Sequence, residues 1–154
     1  ELYDGALPSG NSVAALVLTR LGQLTMDKEL QGYAERLVQT FSGQANQASS
    51  AFPQFLIALD FWMGPSQEIV IAGDPDSADT RQMLRAVYGR FLPRAVLTVH
   101  PVGDAAQAVE ALVPFIKEQR LLQGKATAYI CENYICNLPT TDLTQLISLL
   151  DASR

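Results

Sequence analysis

Along the first third of the chain, apolar residues recur every three or four positions. Val13, Leu16, Val17, Leu21 and Leu24 fall on one side of a helix beginning near Asn11. Pro8 and Gly10 mark the turn before it. Ser9, Asn11 and Ser12 can each cap it, because a short polar side chain accepts from the N–H groups that a first helical turn leaves unpaired. A second stripe, Leu30, Tyr33, Ala34, Leu37, Val38 and Phe41, follows the cap Asp27, and Ser42-Gly43 predicts its end. A third helix is expected from near Ser50, with Pro53 tolerated in its first turn. It carries Phe52, Phe55, Leu56, Leu59 and Met63, and Gly64-Pro65 stops it. Phe61 and Trp62 lie in or beside that stripe and read as core. Three helices with short links are the pattern of packed antiparallel hairpins.

After Pro65 the period changes. Glu68-Ile69-Val70-Ile71-Ala72 is a short β-branched run closed by Gly73-Asp74-Pro75, which predicts a buried strand and a turn. Asp76 or Ser77 then caps a helix bearing Met83, Leu84, Val87, Tyr88 and Phe91, ended by Pro93. Ala95 to Val99 is a second strand, followed by His100-Pro101. Another helix opens at Asp104, with Ala105, Ala108, Val109 and Leu112 on one face and Pro114 ending or kinking it. Gly124 precedes a third strand, Ala126 to Cys131, and Asp142 caps a last helix with Leu143, Leu146, Ile147 and Leu150. Alternating strands and helices imply three parallel strands joined by right-handed crossovers. The expected fold is mixed α and β, with helices over 1–64 and a small three-stranded parallel α/β unit over 65–154. Each half is short of apolar partners for a core of its own.

Composition narrows the partners. The 154 residues are 48% apolar and 18% charged, a globular balance. The longest apolar run, Val13 to Leu18, is far shorter than the roughly 20 residues a membrane helix needs. The chain opens on Glu1 with no basic or apolar leader, so a processed or excised piece of a longer protein is expected. A net charge of −5, with 11 scattered basic residues, would repel nucleic acid and offers no basic patch.

Cys131 and Cys136 are the two cysteines and His100 the sole histidine. Four ligands of this kind are needed for structural zinc, so no metal is expected. The cysteines are expected to be reduced, unbridged thiols at a strand end in a cytoplasmic protein, because five positions along a strand separate them too far. Their further role stays open. A nucleophilic pair of Cys131 with His100 would require both to lie at the carboxyl ends of adjacent parallel strands.

Three segments carry a family resemblance. They are Asp4-Gly5-Ala6-Leu7-Pro8-Ser9-Gly10-Asn11-Ser12-Val13-Ala14-Ala15, Glu68-Ile69-Val70-Ile71-Ala72-Gly73, and Ala126-Thr127-Ala128-Tyr129-Ile130-Cys131-Glu132-Asn133-Tyr134-Ile135-Cys136 followed by Leu138-Pro139-Thr140-Thr141-Asp142. In this order they resemble the end of the thioredoxin-domain proteins of the YyaL and spermatogenesis-associated type. The resemblance implies a longer parent with an amino-terminal thioredoxin-like domain. Its centre would be an (α/α) toroid of six helical hairpins, similar to N-acylglucosamine 2-epimerases and six-hairpin glycosidases. This chain would supply the last toroid helices and the α/β tail, with the rest of the parent as its partner.

The leading expectation is a structural segment without chemistry of its own and without a cofactor. The parent would be a sugar epimerase-like or redox-linked enzyme. In a second reading the Asp4–Ser12 loop lines a carbohydrate cavity, with Asp4, Ser9, Asn11 and Ser12 bonding a sugar-like ligand. In a third, the tail presents itself to the thioredoxin-like domain as a redox partner module. Gly73-Asp74-Pro75-Asp76-Ser77 sits where open sheets bind ligands, but it lacks G-x-G-x-x-G, and its two aspartates would repel a phosphate.

Overall fold

The computed structural model describes residues 1–152, with two compact units that meet in sequence between Pro65 and Ser66. The first unit holds α1 (Gly10–Thr25), α2 (Lys28–Gln47) and α3 (Pro53–Met63), with a 3-10 turn at Ser49–Ala51 before α3. Ser9 caps α1 by accepting from the Ser12 N–H, and Asp27 caps α2 by accepting from Glu29 and Leu30. Leu2, Ala15, Ala45, Phe55 and Ala58 form the buried centre, with the Phe41 ring edge-on to Phe55.

Ser42-Gly43 does not end α2, which continues to Gln47. Ala45, one turn further on, is buried in the core, and its burial draws the helix past a residue with poor intrinsic propensity. A β-carbon at Gly43 would meet nothing within 4 Å. Gly43→Ala is therefore expected to stabilise the unit by about 0.5–1 kcal/mol, through the smaller entropy of the unfolded chain. An unchanged or lower denaturation midpoint would contradict this.

The second unit is built on a four-stranded sheet in the order β2-β1-β3-β4. Its elements are β1 (Gln67–Ala72), α4 (Ala78–Tyr88), β2 (Ala95–His100), α5 (Asp104–Leu112), β3 (Thr127–Glu132), β4 (Ile135–Cys136) and α6 (Leu143–Ala152). β1 and β2 are parallel, as a βαβ crossover requires. β3, however, runs antiparallel to β1, and the expected all-parallel three-stranded unit is corrected to a mixed sheet.

The reason lies after α5. The chain turns through a 3-10 segment at Pro114–Ile116 and returns to where it left β2, so that the Gln119 carbonyl lies 2.7 Å from His100 Nδ1. β3 therefore enters the sheet at the end where β1 and β2 leave it. α4 also stops earlier than expected, at Tyr88, and Tyr88 and Phe91 are exposed.

Alternation along the strands divides the sheet into two unlike faces. Ile69, Ile71, Ala128 and Ile130 pack under Met83 and Val87 of α4 and Leu146 and Leu150 of α6. The opposite face carries Glu68, His100, Thr127, Tyr129 and Cys131, all buried. Polar groups this deep need partners, and those partners make the second unit's chemistry.

Candidate functional site

Asp4 is buried, at 7% exposure, and both carboxylate oxygens accept backbone N–H groups. Oδ1 takes Ser9 at 2.8 Å, and Oδ2 takes Phe55 at 3.1 Å. Phe55 lies in the first turn of α3, whose cap residue Phe52 has no side-chain acceptor to offer. A carboxylate distant in sequence thus does the capping. Burial alone would raise the Asp4 pKa. The Ser9 N–H, the Ser12 hydroxyl and the Phe55 and Gln54 N–H groups outweigh it and hold the carboxyl below its ordinary value.

The rest of the loop is used in the same way. Ser9 Oγ donates to Ser12 Oγ, and Ser12 Oγ lies 3.4 Å from the Leu2 carbonyl. Asn11 donates from Nδ2 to the Glu1 carbonyl at 2.7 Å. The four candidate residues therefore cluster, with their polar atoms bonded to one another, to nearby backbone and, through Asp4, to the backbone of α3.

The Gly73–Ser77 turn follows β1. Ser77 caps α4 through Thr80 N–H, and Asp74 accepts from the Asp76 N–H. Asp79, not singled out in the sequence, reaches across to accept the Ala126 N–H just before β3. That bond, first among its causes, holds the Asp79 carboxyl below its ordinary value.

His100 and Cys131 do not meet as a catalytic pair. β1 lies between their strands, and the antiparallel course of β3 puts Cys131 beside Glu68 while Thr127 stands beside Ala72, the register partner of His100. His100 instead bonds the Gln119 carbonyl through Nδ1 and, at 2.9 Å through Nε2, Glu110, which also pairs with Arg120 at 2.9 Å. The hydrogen bond to His100, aided by the Arg120 charge, holds the Glu110 carboxyl below its ordinary value. His100 and Arg120 border an open cleft of about 270 Å³ with Pro101, Gly103 and Leu121.

Cys131 and Cys136 are bridged, which corrects the expectation of two reduced thiols. The chain turns sharply between them. Asn133 and Tyr134 both have positive φ, 49° and 64°, and form a two-residue hairpin turn closed by Glu132 and Ile135. Cys131 and Cys136 are then direct cross-strand partners with Cα atoms 3.8 Å apart, well inside the roughly 7 Å a bridge allows. The available signal was Asn133 centred between two cysteines, since asparagine tolerates the left-handed region.

Around this bridge stand two residues that sequence reasoning passed over. Glu68, fully buried, lies opposite Cys131 and accepts from the Ser66 hydroxyl at 3.1 Å and the Tyr134 N–H at 2.8 Å. An acid inside a β-branched run was its sequence signal. Burial, then the nearby Glu68 charge, pushes the Tyr134 phenol up to about 12. Gln119 is buried and directs Nε2 at both sulfurs, 3.9 Å from Cys131 and 3.6 Å from Cys136. Its Oε1 has no hydrogen-bond partner among the described residues. Its distance in sequence from both cysteines hid it.

Among the described residues no group of three or more His, Cys, Asp or Glu side chains is placed to hold a metal ion. No helix among them is long and apolar enough to cross a membrane.

No family model matches the chain, and no solved structure matches it. Curated proteins do. Spermatogenesis-associated protein 20 of Rattus norvegicus is 36% identical over 147 residues, 96% of this chain. The Homo sapiens protein of the same name is 35% identical over the same share. An uncharacterised Caenorhabditis elegans protein is 25% identical over 98% of the chain. The chain spans only 18% of the rat protein's length and 19% of the human protein's. Over nearly its whole length the chain is thus homologous to one stretch of the spermatogenesis-associated protein 20 relatives.

Proposed function

We propose that this chain is the carboxyl-terminal structural part of its parent, completing a helical toroid with a small α/β tail and catalysing no reaction by itself. Asp4 carries this reading: the most suggestive carboxylate in the chain is buried and accepts from the backbone of two separate segments. A group so engaged positions helices; a sugar-binding carboxylate keeps lone pairs for its ligand. A second support is the outer side of α1. Val13, Val17 and Leu21 share one stripe, and each is more than 40% exposed, an arrangement that preceding toroid helices would cover.

The test has two arms. The isolated chain is expected to bind 8-anilinonaphthalene sulfonate, and Val17→Glu with Leu21→Lys to abolish that binding. In the full-length protein the same pair should lower the melting temperature. A dye-silent isolated chain and an unaffected full-length melt would overturn the scaffold reading. In the other arm, full-length wild type and Asn11→Ala are titrated with N-acetylglucosamine. The scaffold reading expects the same result from both. Binding by the wild type and its loss in the variant would favour a carbohydrate cavity lined by Asp4, Ser9, Asn11 and Ser12.

A further inference from the structure

Gln119 poses a chemical problem that the scaffold reading does not address. Its side chain is buried, its Nε2 faces the two bridged sulfurs, and its Oε1 is unsatisfied. A buried amide oxygen without a donor is unfavourable, and such a group in a folded protein calls for an explanation. A disulfide cannot supply one, because its sulfurs only accept, and weakly. Two thiols can, because each S–H is a donor. A half-turn of the Gln119 amide exchanges its oxygen and nitrogen, bringing Oε1 to the position 3.6–3.9 Å from the sulfurs that Nε2 now holds. Reduction thus offers that oxygen a donor, while the amide N–H groups give up their weak contacts to sulfur and turn to the position the oxygen leaves.

The two sulfurs also differ in access. Cys131 is buried at 1% exposure within β3, whereas Cys136 lies in the exposed two-residue strand β4 at the edge of the sheet. An incoming thiolate can therefore reach one end of the bridge and not the other.

From this arrangement we propose that Cys131–Cys136 is a reversible dithiol–disulfide couple, exchanged with a dithiol reductant through Cys136 and sensed by Gln119. A thiolate of the reductant attacks Cys136 Sγ. A mixed disulfide forms there, the Cys131–Cys136 bond breaks, and Cys131 leaves as a thiolate that takes a proton. The reductant's second thiolate then attacks its own sulfur in the mixed disulfide and releases Cys136, which is protonated in turn. Two electrons and two protons pass to the chain, and the reductant leaves as a disulfide.

The amide then turns to accept from a thiol. Gln119 also holds His100 through its main-chain carbonyl, and His100 holds Glu110, which pairs with Arg120. The oxidation state is in this way passed from the hairpin to the cleft at the other end of the sheet. This inference is independent of the scaffold reading and survives its failure.

The experiment equilibrates the 154-residue chain with graded ratios of reduced to oxidised dithiothreitol, then alkylates it and counts modified cysteines by mass spectrometry. One transition is expected, with both cysteines modified together and the far-ultraviolet circular dichroism unchanged across it. Gln119→Leu removes both the oxygen that disfavours the bridge and the long, weak Nε2 contacts to sulfur that favour it. The oxygen is the larger of the two, so the transition should need a reduced-to-oxidised ratio about tenfold higher. In Cys131→Ser, dithionitrobenzoate should leave a stable adduct on Cys136.

His100, the sole histidine, supplies a readout that needs no variant: its single set of imidazole NMR resonances should move between the two states. A bridge that resists dithiothreitol until the chain unfolds would overturn the proposal. So would a Gln119→Leu transition at the wild-type ratio. If that variant does not fold, His100 resonances that ignore reduction overturn the sensing role on their own.

Discussion

Asp4→Ala is expected to destabilise the helical unit by about 3 kcal/mol. Two backbone donors lose a charged acceptor together, Ser9 in the entry loop and Phe55 in the first turn of α3. Hydrogen bonds to charged groups contribute roughly 1.5–3 kcal/mol each, and a buried N–H left without a partner adds its desolvation. A surface carboxylate of no structural consequence would change stability by less than about 0.5 kcal/mol, so the two cases are well separated.

The same variant should alter the pH dependence. The folded Asp4 carboxyl sits below its unfolded value of 3.8, so its stabilisation is complete above that value and is lost as pH falls through the folded one. Wild type should therefore lose stability in acid by a margin that Asp4→Ala lacks. Chemical denaturation at neutral pH and near pH 3 measures both effects, and a neutral-pH change under 0.5 kcal/mol would refute this account of Asp4.

Gly73→Ala is the second large effect, expected to cost about 1–3 kcal/mol and to be confined to the sheet unit. A β-carbon there would collide with Thr80 Oγ1 and lie 3.3 Å from Thr80 Cβ and 3.4 Å from Ala126 Cβ. Thr80 has little freedom to withdraw, since it is fully buried and its hydroxyl is bonded to the capping Ser77. The clash therefore presses α4 away from the end of β1, which is overpacking in a close-packed interior. Thr80→Ser together with Gly73→Ala should recover only part of the loss, because the hydroxyl remains. Thr80→Ala should recover more of the clash while forfeiting the hydroxyl's bond. A melt of Gly73→Ala equal to wild type would remove this steric explanation for the glycine.

What could be read from the residues follows from how local each cause is. The caps at Ser9, Asp27 and Ser77 and the apolar stripes of α2 and α6 are decided within a few residues, and the periodicity exposes them. β1 and β2 are likewise visible as β-branched runs on either side of a helix. The direction of β3 is not local. It depends on the stretch from Val113 to Lys125 doubling back to the end of β2, for which the sequence offers Pro114 and little else.

The candidate loop shows the same limit in a different form. Its polar density is plain from Asp4 to Ser12, but the destination of Asp4 is Phe55, far along the chain. A carboxylate that caps a distant helix and one that awaits a ligand look alike in sequence. Two cysteines five apart look too distant to bridge along a straight strand, whereas a two-residue turn brings them face to face.

The position of β1 in the sheet has a consequence for how the second unit is made. β1 hydrogen-bonds β2 on one side and β3 on the other, and β3 follows it only after two helices and a long return. During synthesis β1 and α4 emerge well before the strand that completes them. Until Thr127–Glu132 arrives, one edge of β1 offers unpaired N–H and C=O groups flanked by Ile69, Val70 and Ile71. That bare edge is a template for pairing with another chain. The interval between the two strands, more than any single contact, is where this unit is exposed to misassembly, and sequence changes that slow the return through Phe115–Lys125 would lengthen it.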